Sequence, residues 1–231
     1  DNLEALTLAR NQFTNLPSEI GNLNNLKWLY MGGNQFSEIP RIVGDLNNLQ
    51  VLSFATNQLS SLPSEIGDLT NLKALTLIEN QLTDLPPEIG NLSQLNYLDL
   101  ENNQLHNLPS EIGNLNNLCF LDLKQNQLQY LPNEIGQLPR LETEANTCYI
   151  EVDSNPLISP PPEVVAQGTP AVLDYLRNQA WWHLQRIILS VSTGIGVLAI
   201  LILGIRWRMR RVYRKSKPKR DVYDTDMPNK I

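Results

Sequence analysis

The chain has 231 residues, a net charge of −6, 42% hydrophobic residues and only 6% aromatic ones. So small an aromatic share excludes a core built on large rings and points to one filled by aliphatic side chains. The only histidines, His106 and His183, stand away from any nucleophile or ligand cluster at recognisable spacing, so the sequence gives catalysis no support.

From the N-terminus, Leu3, Leu26, Leu49, Leu72, Leu95 and Leu118 each open one phrase, L-x-x-L-x-L-x-x-N-x-L-x-x-L-P-x-E-I-G-x-L, at a period of 23 residues. Such a period marks stacked coils, in which no coil buries its own leucines and neighbours bury them together. The L-x-L core predicts a short strand with alternating side chains pointing into and out of the coil. Asn11, Asn34, Asn57, Asn80, Asn103 and Asn126 share one position, where an amide can bond backbone groups that stacking removes from water. The Leu-Pro step belongs outside the strand, because Pro cannot donate to a ladder. The Gly of E-I-G is expected to supply a positive φ before the next strand. The phrase resembles the leucine-rich repeat class of plant intracellular Ras-group proteins and many bacterial proteins. The resemblance implies an α/β repeat fold, a horseshoe solenoid with a parallel concave sheet, and protein recognition through that sheet. It covers residues 1–157. The chain opens at Asp1, two residues before a repeat, with no cap and no initiator Met, and is expected to lack upstream sequence.

The last coil is irregular. With Asn155 as the ladder Asn, Ile150 and Val152 point inward and residues 141–146 become a six-residue insertion. Cys148 then falls beside Cys119 on the neighbouring strand, about 4.8 Å away, within the Cα range of about 4.4–6.8 Å that a disulfide accepts. Two separate thiols, or one staple in an oxidising compartment, are the readings open at this point.

Variable strand positions face the sheet surface. Trp28 and Tyr30 lie near its start, small polar residues in the middle, and aromatics with acids toward the end. Tyr97, Asp99, Glu101, Phe120, Asp122 and Tyr149 are expected to form the main contact patch, with Trp28 and Tyr30 as further anchors. The carboxylates favour a basic protein or peptide partner. No metal and no cofactor is expected. Asn91-Leu92-Ser93 fits a glycosylation sequon but reads as chance in a repeat made of Asn and Leu.

Residues 158–186 form a junction. Pro160, Pro161 and Pro162 favour polyproline geometry, PEVVAQG one short helix stopped by Gly168, and Thr169 an N-cap with Pro170 first in a helix running to Arg186. Val172, Leu173 and Leu176 would let that helix cover the open end of the last coil. The run NPLISPPPEVVAQGTPAVLDYLR is similar to the segment that follows the repeats in bacterial Roco-class proteins, where a GTPase domain follows. Here there is no G-x-x-x-x-G-K-[ST], so GTPase activity is not carried over.

Residues 187–205 contain no charge over 19 positions and read as one transmembrane helix flanked by Trp181, Trp182, Trp207 and Tyr213. Residues 206–231 form a basic tail in which Arg206, Arg208, Arg210, Arg211, Arg214 and Lys215 are expected to lie against lipid. Because this basic run directly follows the span, nucleic-acid binding is not expected. Residues 1–186 carry 8 basic and 21 acidic groups, residues 187–231 carry 10 and 3, so the tail is expected in the cytoplasm and the repeats outside. Ser190 with Gly194, and Ser192 with Gly196, have the spacing for weak helix pairing and a homodimer. The expected role is a membrane-anchored, receptor-like or adhesive binder. The alternative is a cytosol-facing scaffold or regulatory part of a multidomain signalling protein.

Overall fold

The computed structural model of the protein describes residues 2–141 and 148–179. Seven three-residue strands lie in sequence order in one parallel sheet: β1 (Ala5–Thr7), β2 (Trp28–Tyr30), β3 (Val51–Ser53), β4 (Ala74–Thr76), β5 (Tyr97–Asp99), β6 (Phe120–Asp122) and β7 (Tyr149–Glu151). Equivalent residues pair from coil to coil, Leu29 with Leu52 and Leu75 with Leu98. At the irregular end Ile150 pairs with Leu121 and Tyr149 with Phe120, the register that anchoring on Asn155 requires. The insertion itself lies outside the described residues from 142 onward.

Each central strand leucine from Leu29 to Leu121 is fully buried, as are Leu26, Leu49, Leu72, Leu95 and Leu118. Burial of one such side chain contributes roughly 1.5–3 kcal/mol, so the ladders carry the fold. Phe36 and Phe54 replace aliphatics in neighbouring coils and meet edge to face at 5.2 Å.

The asparagine column works as a hydrogen-bonded spine. In Asn103, Nδ2 donates to Leu100 O in its own coil and Leu77 O in the coil before, while Oδ1 accepts from Leu82 N. The same arrangement recurs at Asn34, Asn80 and Asn126. Just before each ladder Asn the backbone turns left-handed, with φ of 53–59° at Arg10, Thr56, Glu79, Asn102, Gln125 and Ser154 and 69° at Gly33. Only Gly33 among these advertises that conformation in the sequence.

The convex segments are five-residue 3₁₀ turns, the first Ser18–Asn22 and the last Asn133–Gln137, each entered through a proline. These segments are too short and too tightly wound for α-helix, which among the described residues occurs only after the last coil. The role expected for the E-I-G glycine is corrected. Gly44, Gly67 and Gly90 are not among the positive-φ residues. A Cβ on Gly44 or Gly67 would meet the carbonyl oxygen of the next coil at 2.7 Å, and one on Gly90 would meet Glu111 O at 2.5 Å. Glycine is there so that successive turns can stack closely.

After a cis Ser159–Pro160 peptide, Pro161 keeps extended polyproline geometry but Pro162 already opens α1 (Pro162–Val165). Gly168, at φ 85°, ends that segment, and residues 169–179 are helical. Thr169 is not the N-cap. The first helical bond runs from Val172 N to Gly168 O, and the Thr169 hydroxyl instead exchanges bonds with Ile150, accepting from its N–H at 3.2 Å and facing its carbonyl at 3.4 Å. Thr169 thus satisfies the outer edge of β7, which among the described residues has no further strand to pair with. Val172, Leu173 and Leu176 are at most 2% exposed and join the core. Arg177 donates from Nε and Nη2 to Gly136 O, and a Cβ on Gly136 would meet Arg177 N at 2.7 Å. The helix therefore occupies the place that the next coil's 3₁₀ turn takes elsewhere and caps the stack.

Candidate functional site

Strand alternation, with one residue buried and the next facing outward, carries the third, fifth and seventh positions of every coil onto the sheet surface. In β5 to β7 these positions assemble a continuous patch. The rings of Tyr97 and Phe120 stack at 4.4 Å with 8° between planes, and Phe120 meets Tyr149 edge to face at 4.9 Å. Tyr149 is 39% exposed, while Tyr97 and Phe120 are half-buried. Strand pairing fixes this run, since Tyr97, Phe120 and Tyr149 are direct cross-strand partners.

The acids lie beside the rings. Asp99 accepts from the Tyr97 hydroxyl at 3.2 Å and from Glu101 N at 3.2 Å. Asp122 accepts from Lys124 N at 2.9 Å, and its other oxygen holds the Lys124 ammonium at 3.1 Å. Asp99 and Asp122 are thus buried, at 8% and 4% exposure, rather than open contact points. Their short side chains fold down onto backbone N–H groups two residues on. Glu101 stays half-buried and is bonded by Gln125 Nε2 at 3.2 Å.

Burial pushes the Tyr97 hydroxyl up to about 12, with the neighbouring Asp99 charge adding to it. Burial likewise raises Asp99 above its ordinary value, partly offset by the Glu101 N–H, while the Asp122 charge pushes the same way as burial. Hydrogen bonding to Asp122 raises Lys124. Carboxylate oxygens of Asp99, Glu101 and Asp122 lie within 4.8 Å of one another, yet Lys124 already supplies counter-charge there, so an arriving metal cation would have to compete with it. Negative potential at the rim of an aromatic surface attracts a cation, above all a flexible cationic side chain.

Trp28 and Tyr30 do not join this patch. They sit on β2, three strands from β5, about 14 Å at the usual strand spacing. Tyr30 is 40% exposed, and the Lys27 ammonium lies 5.8 Å from the Trp28 ring centre. Between them, Val51, Ser53, Ala74 and Thr76 make a low, half-buried saddle. Lys124 and Gln125 are the partners that sequence reasoning left out of the patch. The D-x-K spacing of Asp122 and Lys124, two residues apart on one strand face, was the available signal.

Cys119 and Cys148 are joined by a disulfide with Cα atoms 4.4 Å apart, which ties β7 and its Tyr149 to β6. A separate hollow of about 580 Å³ lies away from the sheet among the turn residues Leu16, Ile39, Pro40, Ile42, Leu62 and Pro63. Among the described residues no helix is long and apolar enough to cross a membrane. The 187–205 span, its Ser190–Gly194 and Ser192–Gly196 spacing, His183 and the basic cluster from Arg206 to Lys215 lie outside the described residues.

Comparison with known proteins follows the same outline. Residues 2–87 and 79–143 match the family described as Leucine-rich repeat region. No curated protein matches the sequence significantly. Among solved structures, a leucine-rich repeat protein of Leptospira interrogans is 38% identical with a TM-score of 0.50, over 60% of this chain and 41% of its own. The plant peptide hormone receptor RGFR1, solved in complex with RGF2, is 37% identical with a TM-score of 0.59, over 66% of this chain and 25% of its own. The ectodomain of the Arabidopsis thaliana membrane receptor kinase GASSHO1/SCHENGEN3, in complex with CASPARIAN STRIP INTEGRITY FACTOR 2, is 34% identical with a TM-score of 0.52, over 62% and 17%. The chain thus spans less than half the length of each of these proteins. The chain belongs to the leucine-rich repeat family.

Proposed function

We propose that this leucine-rich repeat protein is a membrane-anchored recognition module that binds a basic protein or peptide on its sheet face and carries out no catalysis. The observation that carries the reading is the patch on β5 to β7. Tyr97 stacked on Phe120, with Tyr149 edge-on beside them and Asp99, Glu101 and Asp122 at the rim, offers aromatic area beside negative charge. Aromatic anchors of this kind dominate interface energetics, and the acids select a cationic partner and speed its approach. Two similar structures are complexes of plant receptors with peptide or factor ligands, which supports the class of partner.

Anchoring rests on the uncharged stretch 187–205 and the basic tail after it. An exterior position of the repeats is supported by that charge asymmetry and by the Cys119–Cys148 bond, since disulfides persist in oxidising compartments. Protease digestion of intact cells tests this placement: repeats cleaved from outside support it, and repeats shielded until lysis would favour a cytosolic scaffold. Binding is tested by titrating Lys- and Arg-rich peptides against the detergent-solubilised chain. Retention of affinity after Phe120→Ala and Tyr97→Ala would remove the patch from the account.

A further inference from the structure

Two columns of side chains run along the edge where each coil leaves its ladder Asn and turns toward the convex side. At the thirteenth position of the coil stand Asn15, Glu38, Ser61, Asp84 and Asn107, and the twelfth position holds Ser, Thr, His or Gln, all exposed. Both columns change character at the C-terminal end. Tyr130 takes the thirteenth position of the sixth coil and Ile158 the twelfth of the seventh, and they are 53% and 58% exposed. Neither fills the core, so folding does not account for them. Large apolar side chains placed together on an otherwise polar surface mark a contact.

Their position says with what. Tyr130 pairs with Ser159 in a parallel bridge, and Ile158 N bonds Gln129 O at 2.8 Å, so the two residues lie on adjoining segments. The Ser159 hydroxyl is 3.3 Å from the Tyr175 hydroxyl, which accepts from Gln179 Nε2 at 2.9 Å. The last described turn of the C-terminal helix therefore lies two hydrogen bonds from the segment bearing Ile158. From Gln179 only residues 180–186 lead to the uncharged stretch at 187. Fully extended, that tether spans at most about 27 Å, and as a helix about 12 Å. The tether thus begins beside the segment that bears the apolar edge, among other parts of the last coil.

We propose that this edge rests in the headgroup region of the membrane, with Tyr130 at interface level and Ile158 toward the acyl boundary. The inference depends on the reading of 187–205 as a membrane span. Tyr suits that depth because its ring is apolar and its hydroxyl stays wet. A zwitterionic surface suffices, since the exposed charges of the two C-terminal helical segments, Glu163, Asp174 and the Arg177 paired with Asp174, give no net attraction for anionic lipid. The sheet face would then be held at a fixed inclination to the membrane instead of swinging on its tether.

The test uses the full chain in phosphatidylcholine nanodiscs, with a nitroxide label on Ile158→Cys or, as control, on Ser60→Cys. Ser60 holds the twelfth position of the third coil, and the native cysteines are already bonded to each other. The expected result is an oxygen-to-nickel-chelate accessibility ratio several-fold higher at 158 than at 60. Equal ratios would overturn the inference while leaving the anchor intact. A label at 158 shielded from both reagents would also overturn it, and would indicate a second copy or a protein partner on this edge. If the chain does not co-purify with nanodiscs at all, the anchoring reading fails and the inference with it.

Discussion

Replacing Asn103 by Ala removes the centre of the hydrogen-bonded spine. Its amide bonds Leu77 O at 3.0 Å and Leu100 O at 3.1 Å, and its carbonyl accepts from Leu82 N at 3.0 Å. The carbonyls keep one ladder partner each, from Asn80 and Asn126, but the Leu82 N–H is orphaned in the core. An orphaned buried donor costs about 1–3 kcal/mol and each of the two lost amide bonds about 0.5–1.5, so N103A should destabilise by about 2–6 kcal/mol. Asn11 is the control. It is exposed, lies in the first coil and bonds only Leu8 O and Ala9 O, so N11A should cost under about 1 kcal/mol. Urea denaturation of the detergent-solubilised chain, followed by circular dichroism, measures both. Asn103→Asp sharpens the comparison. It keeps an acceptor for Leu82 N–H but points a carboxylate at two carbonyls, so its folded-state pKa is raised. Its destabilisation should be full at neutral pH and shrink as acid protonates it. Equal stability of N103A and N11A would refute the idea that the asparagine spine, more than leucine packing alone, holds the coils in register.

Gly90→Ala should destabilise by about 1–3 kcal/mol, because its new methyl meets Glu111 O at 2.5 Å, whereas Gly21→Ala meets side chains alone, those of Ile42 and Asp45, and should cost less. Paired denaturation curves check the order. Serine at both Cys119 and Cys148 opens a loop of 29 residues, worth about 3–4 kcal/mol on the chain-entropy account. Hydrogen exchange should then rise first in β7 and the helix packed on it. Asp99→Asn separates stability from binding. Because the folded-state pKa of Asp99 is raised, the wild type loses stability as pH rises through the interval from the unfolded to the folded value, and the penalty is full above it. The variant should therefore be no less stable than wild type at neutral pH, yet bind a Lys-rich peptide more weakly. Wild-type binding should itself decline as pH falls through the raised Asp99 value. A variant less stable at neutral pH, by thermal denaturation, would contradict that sign.

The fold was legible because its signal repeats. The 23-residue period placed the first six strands, the Asn column placed the turn, and Asn155 alone set the register of β7. Features without periodic spelling were missed. The left-handed residue before each ladder Asn carries Arg, Thr, Glu, Asn, Gln or Ser in six of seven coils, since the surrounding hydrogen bonds force the conformation whatever the side chain. The E-I-G glycine was read as a backbone need, but close stacking is what requires it. Thr169 looked like a cap in one dimension, whereas in three its hydroxyl serves the exposed edge of β7. At the site, cross-strand pairing made the aromatic run readable. The burial of Asp99 and Asp122 was not, because it depends on local N–H groups that every strand possesses.

The most direct test of the account is a selection of peptides by the full chain in nanodiscs, scored on the wild type, on Tyr97→Ala/Phe120→Ala, and on a convex control such as Glu88→Ala. The account predicts that Lys- and Arg-bearing peptides are enriched, that the double variant loses them, and that the control keeps them. Peptides that bind the double variant as tightly as the wild type, or an enriched pool without positive charge, would contradict it.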